Sequence, residues 1–293
     1  MPRPRPYALS MPEFIDAHGV AIVYDIHPAE ATPRGVVQLL HGLGEHVGRY
    51  SALIAALTAA GYTVYADDHR GHGRTGMTQY GGDATRLGRL GVGGMRAAVA
   101  ACRQFTHLIR DENPGLPLIL LGHSWGSLLA QILFNDEPEA YDAVILSGSA
   151  LRAFGSTNVG SYNRRWHAKD ALGTEWLSSD LEVGRAFVDD PLTTSAPPLK
   201  LFGIIGSLRL LGRPRRDLGV DVPVLLMVGR DDSVGGPRSV HRLADAYRSR
   251  SGLRDVTTLV YPDARHEIFN EVNQAEVRAD LLAWLDRRVP ARA

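Results

Sequence analysis

The chain has 293 residues, of which 44% are hydrophobic and 22% charged, and its formal net charge at pH 7 is zero. This is an ordinary globular composition with enough residues for a large core, and the balanced charge gives no indication of a nucleic-acid partner. The single cysteine, Cys102, excludes a disulfide within the chain and suits a reducing compartment. No apolar stretch is long enough to cross a membrane, so we expect a cytoplasmic protein.

The first half of the chain alternates short apolar runs, typical of buried strands, with runs at helical spacing. In chain order the prediction is strands 14–19 and 21–27, strand 36–40, helix 50–60, strand 62–66, a helix from Met95 up to Asn113, strand 116–121, a helix containing 128–133, and strand 143–146. Residues 76–94 are rich in glycine and show no clear period.

The alternation lapses over residues 151–219 and then resumes. Strand 223–228, helix 237–248, strand 256–261 and helix 276–288 are predicted there. Such alternation predicts an α/β fold with a mostly parallel sheet and helices on both faces. We therefore expect one core, made of 1–150 and 220–293, interrupted by a helical insertion at 151–219. Because ligands bind at the carboxyl ends of strands in such sheets, the insertion is expected to lie over the site as a cap.

Residues 122–126 read Gly-His-Ser-Trp-Gly between a predicted strand and a predicted helix. A sharp turn at Ser124 leaves little room for side chains beside it, which explains Gly122 and Gly126. Ser124 then lies at the start of a helix, where free N–H groups favour negative charge. The pattern predicts a nucleophilic serine, whereas the alternative is a serine that only caps a helix.

A serine hydroxyl needs a base to remove its proton, and the base is usually a histidine oriented by a carboxylate. With this type of turn, the acid and then the histidine follow the serine along the chain. His266, in a loop just after a strand, is favoured over His241, which lies inside a predicted helix. The acid should follow strand 223–228, where Asp231 and Asp232 are adjacent. Spacing alone does not choose between them, and the unused one is expected to be solvated or paired with Arg230.

An oxyanion formed on attack by Ser124 needs two N–H donors. The amide of Trp125 is one candidate, and the amide of Leu43, in the glycine-flanked loop after strand 36–40, is the other. Histidines at 41, 46, 69 and 72 and Glu45 do not match a known zinc spacing, so we expect hydrogen bonds that shape loops and no metal. No organic cofactor is implied.

Five segments together resemble the monoacylglycerol lipase and lysophospholipase group of α/β-hydrolases, also described as serine-aminopeptidase-like hydrolases. They are 41–46 (HGLGEH) with Arg49 and Tyr50, 68–74 (DHRGHGR), 122–126 (GHSWG), 229–232 (GRDD) and 261–267 (YPDARHE). The resemblance implies the α/β-hydrolase fold, Asp232 as the acid, Leu43 and Trp125 as the oxyanion hole, and residues 151–219 as a cap over the acyl site.

The leading functional hypothesis is a serine hydrolase that cleaves small-molecule acyl esters of the monoacylglycerol or lysophospholipid type through an acyl-enzyme on Ser124. An aminopeptidase or amidase with the same residues is the alternative, and Glu175, Asp180 and Glu182 in the insertion are candidates for binding its substrate amine. A binding protein on an inactive hydrolase fold is disfavoured by the intact set of Ser124, Asp232 and His266.

The insertion also contains an apolar segment, 199–211, with basic residues within it and just after it, namely Lys200, Arg209, Arg213, Arg215 and Arg216. We expect this segment to form part of a lid over the acyl chain. An exposed apolar face with basic neighbours would also suit transient contact with an anionic membrane surface, and hence a peripheral location. The alternative is that the segment simply packs against the core.

Overall fold

A computed structural model describes residues 12–289, except 159, 161 and 167. The strands are β1 (Glu13–Ile15), β2 (Ala21–His27), β3 (Gly35–Leu40), β4 (Tyr62–Asp67), β5 (Leu118–His123), β6 (Ala143–Ser147), β7 (Val224–Gly229) and β8 (Val256–Tyr261). The helices are α1 (Ser51–Ala59), α2 (Gly73–Gln79), α3 (Gly94–Glu112), α4 (Trp125–Asp136), α5 (Leu181–Asp189), α6 (Pro198–Leu208), α7 (Gly236–Ser249) and α8 (Gln274–Arg288).

The eight strands form one sheet in the order β1-β2-β4-β3-β5-β6-β7-β8. β1 pairs antiparallel with β2, and β2 antiparallel with β4, whereas all pairs from β4 to β8 are parallel. The carboxyl ends of β3, β5, β7 and β8 therefore meet at one edge of the sheet. The predicted α/β-hydrolase fold is confirmed.

Side chains alternate between two apolar cores, one on each face of the sheet. In β3, Val36 and Leu40 belong to one core, while Val37 and Leu39 belong to the other. The first core includes buried residues of α3, α4 and α7, and the second those of α1 and α8. Central strands are consequently buried on both sides, which is why their sequences read as continuous apolar runs.

Helix α2 was not predicted, because its sequence carries two glycines and no apolar period. Tertiary contacts hold it instead. The buried hydroxyl of Thr75 accepts a hydrogen bond of 2.9 Å from the amide of Val23. A Cβ at Gly76 would lie 2.5 Å from the carbonyl carbon of Gly71, so only glycine allows this close packing.

The chain between β6 and β7 contains a 3-10 turn (Tyr162–Trp166), α5 and α6. The apolar segment predicted at 199–211 is helical to Leu208 but is interrupted at Gly203, whose φ is 66°. The side chains of Leu199, Ile204, Ile205 and Leu208 are exposed. Within the described residues, no helix combines the length and the apolarity needed to cross a bilayer.

Candidate active site

Ser124 lies in a strained turn between β5 and α4, with φ 52° and ψ −120°. Few residues other than glycine adopt a positive φ, and those that do often lie at functional sites. The flanking glycines allow close backbone approaches. A Cβ at Gly122 would lie 2.5 Å from the carbonyl oxygen of Gly126, and one at Gly126 would lie 2.3 Å from that of Leu40. The turn therefore presents the serine side chain at the carboxyl edge of the sheet.

Three side chains chosen from the sequence meet in a line at this edge. The Oγ of Ser124 lies 2.8 Å from Nε2 of His266. On the other side of the ring, Nδ1 of His266 lies 3.0 Å from Oδ1 of Asp232, within the distance of an ion pair. The N–H at Nδ1 is not aligned with this oxygen well enough for a regular hydrogen bond. Both the histidine and the aspartate side chains are almost fully buried. The same Oδ1 accepts a hydrogen bond of 2.7 Å from the amide of Val234, which orients the carboxylate.

The loops after β7 and β8 lie directly against each other. A Cβ at Gly229 would lie 2.0 Å from the carbonyl oxygen of Arg265, so a side chain there would separate the loops. The amide of Asp231 donates to the carbonyl of Ala264 at 3.0 Å. The Asp231 side chain is partly exposed and pairs with Arg165 of the insertion at 2.8 Å, whereas solvation or a pair with Arg230 was expected.

The surroundings of His266 favour its protonated form. Burial on its own would lower the pKa of the imidazole, but the adjacent Asp232 carboxylate raises it above the ordinary value of 6.5. A second ring, His123, lies 4.9 Å away between centroids, and burial together with the charge of His266 holds its pKa well below the ordinary range. The ring of Trp176, in the insertion, also packs against His266, with 5.0 Å between the two centroids.

The loop after β3 lies beside Ser124. A Cβ built on Gly42 would be 3.2 Å from Cβ of Ser124. The carbonyl of Gly44 accepts a hydrogen bond of 2.8 Å from the amide of Thr194, which ties the loop to the insertion. The half-buried Leu43 therefore lies next to the serine, and Trp125 begins the helix directly after it.

A buried polar network behind this loop was not predicted. The Nη2 of Arg49 donates to both carboxylate oxygens of Glu267, at 2.9 and 2.7 Å, and Nε contacts Glu45 at 3.2 Å. Glu45 in turn accepts hydrogen bonds from the amide of Gly42 (2.6 Å) and the hydroxyl of Tyr50 (2.5 Å). Burial and the neighbouring Glu267 raise the pKa of Glu45. The sequence signal was present, because all four charged or hydroxyl residues belong to the segments that carry the family resemblance.

The histidines of the two glycine-rich loops make hydrogen bonds and stacking contacts, as expected. Nδ1 of His41 contacts the carbonyl of Gly42 at 2.7 Å, and its Nε2 accepts from the amide of His69 at 2.9 Å. Since that nitrogen is an acceptor, Nδ1 is the donor. The rings of His41 and His69 stack at 4.0 Å. These contacts join the loops after β3 and β4.

Potential metal ligands converge at one place among the described residues, where Asp67, His69 and Cys102 bring one ligand atom each within 4.8 Å of one another. Nδ1 of His69 already contacts Asp67 at 2.8 Å. Burial would lower the pKa of His69, but the Asp67 charge raises it well above the ordinary value. An ion pair between His69 and Asp67 therefore explains the 2.8 Å contact between these two side chains.

The three acidic residues considered for an amine pocket have other partners. Glu175 accepts from the amides of Leu172 (2.6 Å) and Gly173 (3.0 Å) and so shapes its own loop. Asp180 caps the start of α5, and Glu182 pairs with Arg185. Each of the three carboxylates is therefore already bonded within its own segment.

The sheet order, the strained serine and the Ser–His–Asp line define the protein as an α/β-hydrolase of the serine type. Sequence comparison then specifies the family: the model described as "Serine aminopeptidase, S33" matches residues 31–273, so the chain belongs to this family. The resemblance predicted from the five segments is confirmed.

Individual relatives agree with this assignment. The chain is 34% identical to a monoacylglycerol lipase of Mycolicibacterium smegmatis, over 93% of this chain and 95% of that protein. It is 25% identical to the human monoglyceride lipase, over 98% and 93% of the two chains. The crystal structure of a thermostable carboxyl esterase from Bacillus coagulans superposes with a TM-score of 0.84 at 24% identity, covering 94% of this chain and 97% of that one. Fold and family together make the protein an ester-cleaving serine hydrolase.

Proposed function

We propose that the protein hydrolyses monoacylglycerol-type esters through an acyl-enzyme on Ser124, with His266 as the base and Asp232 as the acid that orients it. The observation that supports this most directly is the 2.8 Å contact between Oγ of Ser124 and Nε2 of His266, because it is the path of the proton that must leave. The names of the relatives, monoacylglycerol and monoglyceride lipases, favour this substrate class.

In the first step Oγ of Ser124 attacks the ester carbonyl while His266 takes its proton. The amides of Leu43 and Trp125 stabilise the negative oxygen that forms. The imidazolium then gives the proton to the departing alcohol, glycerol in the case of a monoacylglycerol. In the second step His266 deprotonates a water molecule that attacks the acyl-enzyme, and the fatty acid leaves as Ser124 regains its proton. The Asp232 carboxylate stabilises the imidazolium in both steps.

We propose that residues 151–219 act as a cap on a core made of 1–150 and 220–293. Three contacts support this role. Trp176 lies against His266, the Thr194 amide binds the carbonyl of Gly44, and the ring of Phe202 lies 5.4 Å from that of Trp125. The cap therefore touches the proposed base, Trp125 and the loop that carries Leu43.

The exposed apolar side chains of α6 support a second role, contact with a membrane surface. Ile204 and Ile205, at 69% and 70% exposure, lie beyond the Gly203 break and face solvent. The break separates them from the turn that carries Phe202, so we assign Ile204 and Ile205 to the surface contact and not to the acyl chain. A peripheral location on the cytoplasmic side of a membrane would suit this surface.

A substrate panel tests the proposal. Monoacylglycerols of increasing chain length, lysophospholipids, aryl esters and aminoacyl anilides are compared by kcat/KM. We expect monoacylglycerols to be preferred and kcat/KM to rise up to medium chain length, since each buried methylene contributes about 0.8 kcal/mol, or nearly fourfold. Equal turnover of acetyl and decanoyl esters would contradict a lipid substrate, and faster cleavage of the anilides would favour the amidase alternative.

A further inference from the structure

A basin lined by arginines lies where the insertion leaves and rejoins the core. Its volume is about 770 Å³, and neither Ser124 nor His266 lines it. Six arginines face it: Arg152, Arg213, Arg215, Arg216, Arg242 and Arg250. They come from three separate parts of the chain, namely the segment after β6, the segment after α6, and α7 with the residue that follows it.

Within the described part of the chain, no carboxylate forms an ion pair with an arginine of this basin. Among the residues that the structure describes, no aspartate or glutamate lines the basin. The ion pairs found among the described residues involve other arginines, and none includes one of these six. Because the chain as a whole carries no net charge, the concentration of six cations in one concavity is a local feature and not a result of overall composition.

Backbone carbonyls hold several of these guanidinium groups in place. Nη1 of Arg152 donates to the carbonyl of Leu210 at 3.2 Å, and Nε of Arg250 donates to that of Pro214 at 2.7 Å. Nη2 of Arg215 donates to the carbonyl of Leu218 at 2.9 Å. These bonds orient the side chains, and a neutral carbonyl does not cancel a guanidinium charge.

Arg152, at the base of the basin, is the most informative of the six. Only 6% of the residue is exposed, and its Nε has no hydrogen-bond partner among the described residues. The chain makes room for it, because a Cβ at Gly212 would lie 2.9 Å from its Nη2. Burial lowers the pKa of this arginine. The charge of Asp136 acts in the opposite direction but does not offset burial, and no described carboxylate lies in ion-pair contact with Arg152. A buried cation without such a contact is costly, so the site favours an anion from outside the chain.

We propose that this basin is a binding site for a phosphate group, carried either by an anionic lipid or by a soluble phosphorylated molecule. Guanidinium groups bind phosphate oxygens with paired, charge-assisted hydrogen bonds, which suits a cluster of arginines better than any neutral ligand would. A phosphate held there contacts both ends of the insertion and α7. Its binding therefore stabilises one position of the segment that touches His266 and Trp125.

Paired variants test the site. Arg213→Ser/Arg216→Ser removes two exposed cations of the basin and leaves the buried Arg152 in place. Arg96→Ser/Arg287→Ser, on the exposed surfaces of α3 and α8, makes the same change in net charge elsewhere. Binding of inorganic pyrophosphate is measured by calorimetry and by the shift in Tm, at constant ionic strength. We expect wild type and the control to bind and to gain thermal stability, and the basin variant to lose roughly tenfold or more in affinity.

Vesicles distinguish the two sources of phosphate. Co-sedimentation is compared for phosphatidylcholine alone and with phosphatidic acid added. Capture by phosphatidic acid that the basin variant loses and the control keeps assigns the site to a lipid headgroup. Pyrophosphate binding without such capture assigns it to a soluble molecule. Absence of binding to either probe, or equal binding by the two double variants, would overturn the proposal. Neither readout requires turnover, so the result is independent of the proposed esterase activity.

Discussion

Arg49 and Glu267 form a buried, two-pronged ion pair, with Nη2–Oε distances of 2.9 and 2.7 Å. Glu267 directly follows His266, while Arg49 follows the loop that carries Leu43. The pair therefore fixes the distance between the proposed base and one proposed source of oxyanion donors. Their side chains are 8% and 4% exposed, so solvent screens the interaction little.

Breaking this pair should destabilise the protein. Arg49→Met leaves Glu45 and Glu267 buried beside each other without a cation, and we expect a loss of about 3–5 kcal/mol in the free energy of unfolding. Glu267→Gln should cost less, and the double variant less than the sum of the two. The free energy of unfolding in urea is measured for wild type, the two single variants and the double variant, which together form a double-mutant cycle. Arg185→Met, which removes an exposed pair with Glu182, is the control. Strictly additive losses would contradict the coupling.

Ser124→Ala should abolish ester hydrolysis, with turnover falling by roughly 10⁴ to 10⁶, because no other nucleophile replaces the hydroxyl. Initial rates on a medium-chain ester and labelling by a fluorophosphonate are the measurements. Ser249→Ala, at the exposed end of α7, should behave like wild type. Near-normal turnover by Ser124→Ala would refute the proposed nucleophile.

The two adjacent aspartates should differ sharply. Asp232→Asn is expected to lower kcat by roughly 10⁴, because the imidazole loses the carboxylate that orients it and stabilises its charge. Asp231→Asn should have little effect, since that side chain pairs with Arg165 at the surface. Steady-state kinetics of both variants decide between them, and a reversed order of effects would move the acid by one residue.

Activity should depend on the protonation of His266. The imidazolium cannot accept the serine proton, so kcat/KM should fall as pH decreases through the pKa of His266, which lies above 6.5. Burial lowers this pKa, but the carboxylates around the ring, with Asp232 foremost, together raise it by more. The residual activity of Asp232→Asn should therefore persist to lower pH than that of wild type. A kcat/KM profile between about pH 5 and pH 9 checks the direction, and an upward shift in the variant would contradict it.

Variants of two residues of α6 should distinguish binding of the acyl chain from contact with a membrane surface. Phe202→Ala removes the ring that packs on Trp125 and is expected to reduce kcat/KM for decanoyl esters by roughly tenfold or more, with a smaller effect on acetate esters. Ile204→Ser changes an exposed side chain of the same helix and should leave soluble substrates unaffected while weakening vesicle binding. Equal effects of Phe202→Ala on all chain lengths would exclude an acyl contact.

Local sequence signals were sufficient to predict much of the fold and to select Ser124 and His266 as candidates, which the structure places in contact. Apolar runs and helical spacing predicted the strands of the core, because central parallel strands are buried on both faces. Gly122 and Gly126 indicated a sharp turn at Ser124, because glycine on both sides suits a turn in which backbone segments approach closely. The structure contains that approach. Periodicity did not choose between Asp231 and Asp232. Family spacing chose Asp232, and the turn that aims it at His266 supports that choice.

Contacts between distant segments decided the rest. Helix α2 lacks a periodic sequence and forms because Thr75 and Gly76 pack against β2 and the preceding loop. The direction of Ile204 depends on a backbone break at Gly203. The Arg49–Glu267 pair spans 218 residues of sequence, and the arginine basin joins three separate segments. Sequence patterns record which face of its own helix or strand a residue occupies. The packing of those elements determines which charged side chains share one buried space. Only the tertiary structure could therefore show the Arg49–Glu267 pair and the arginine basin.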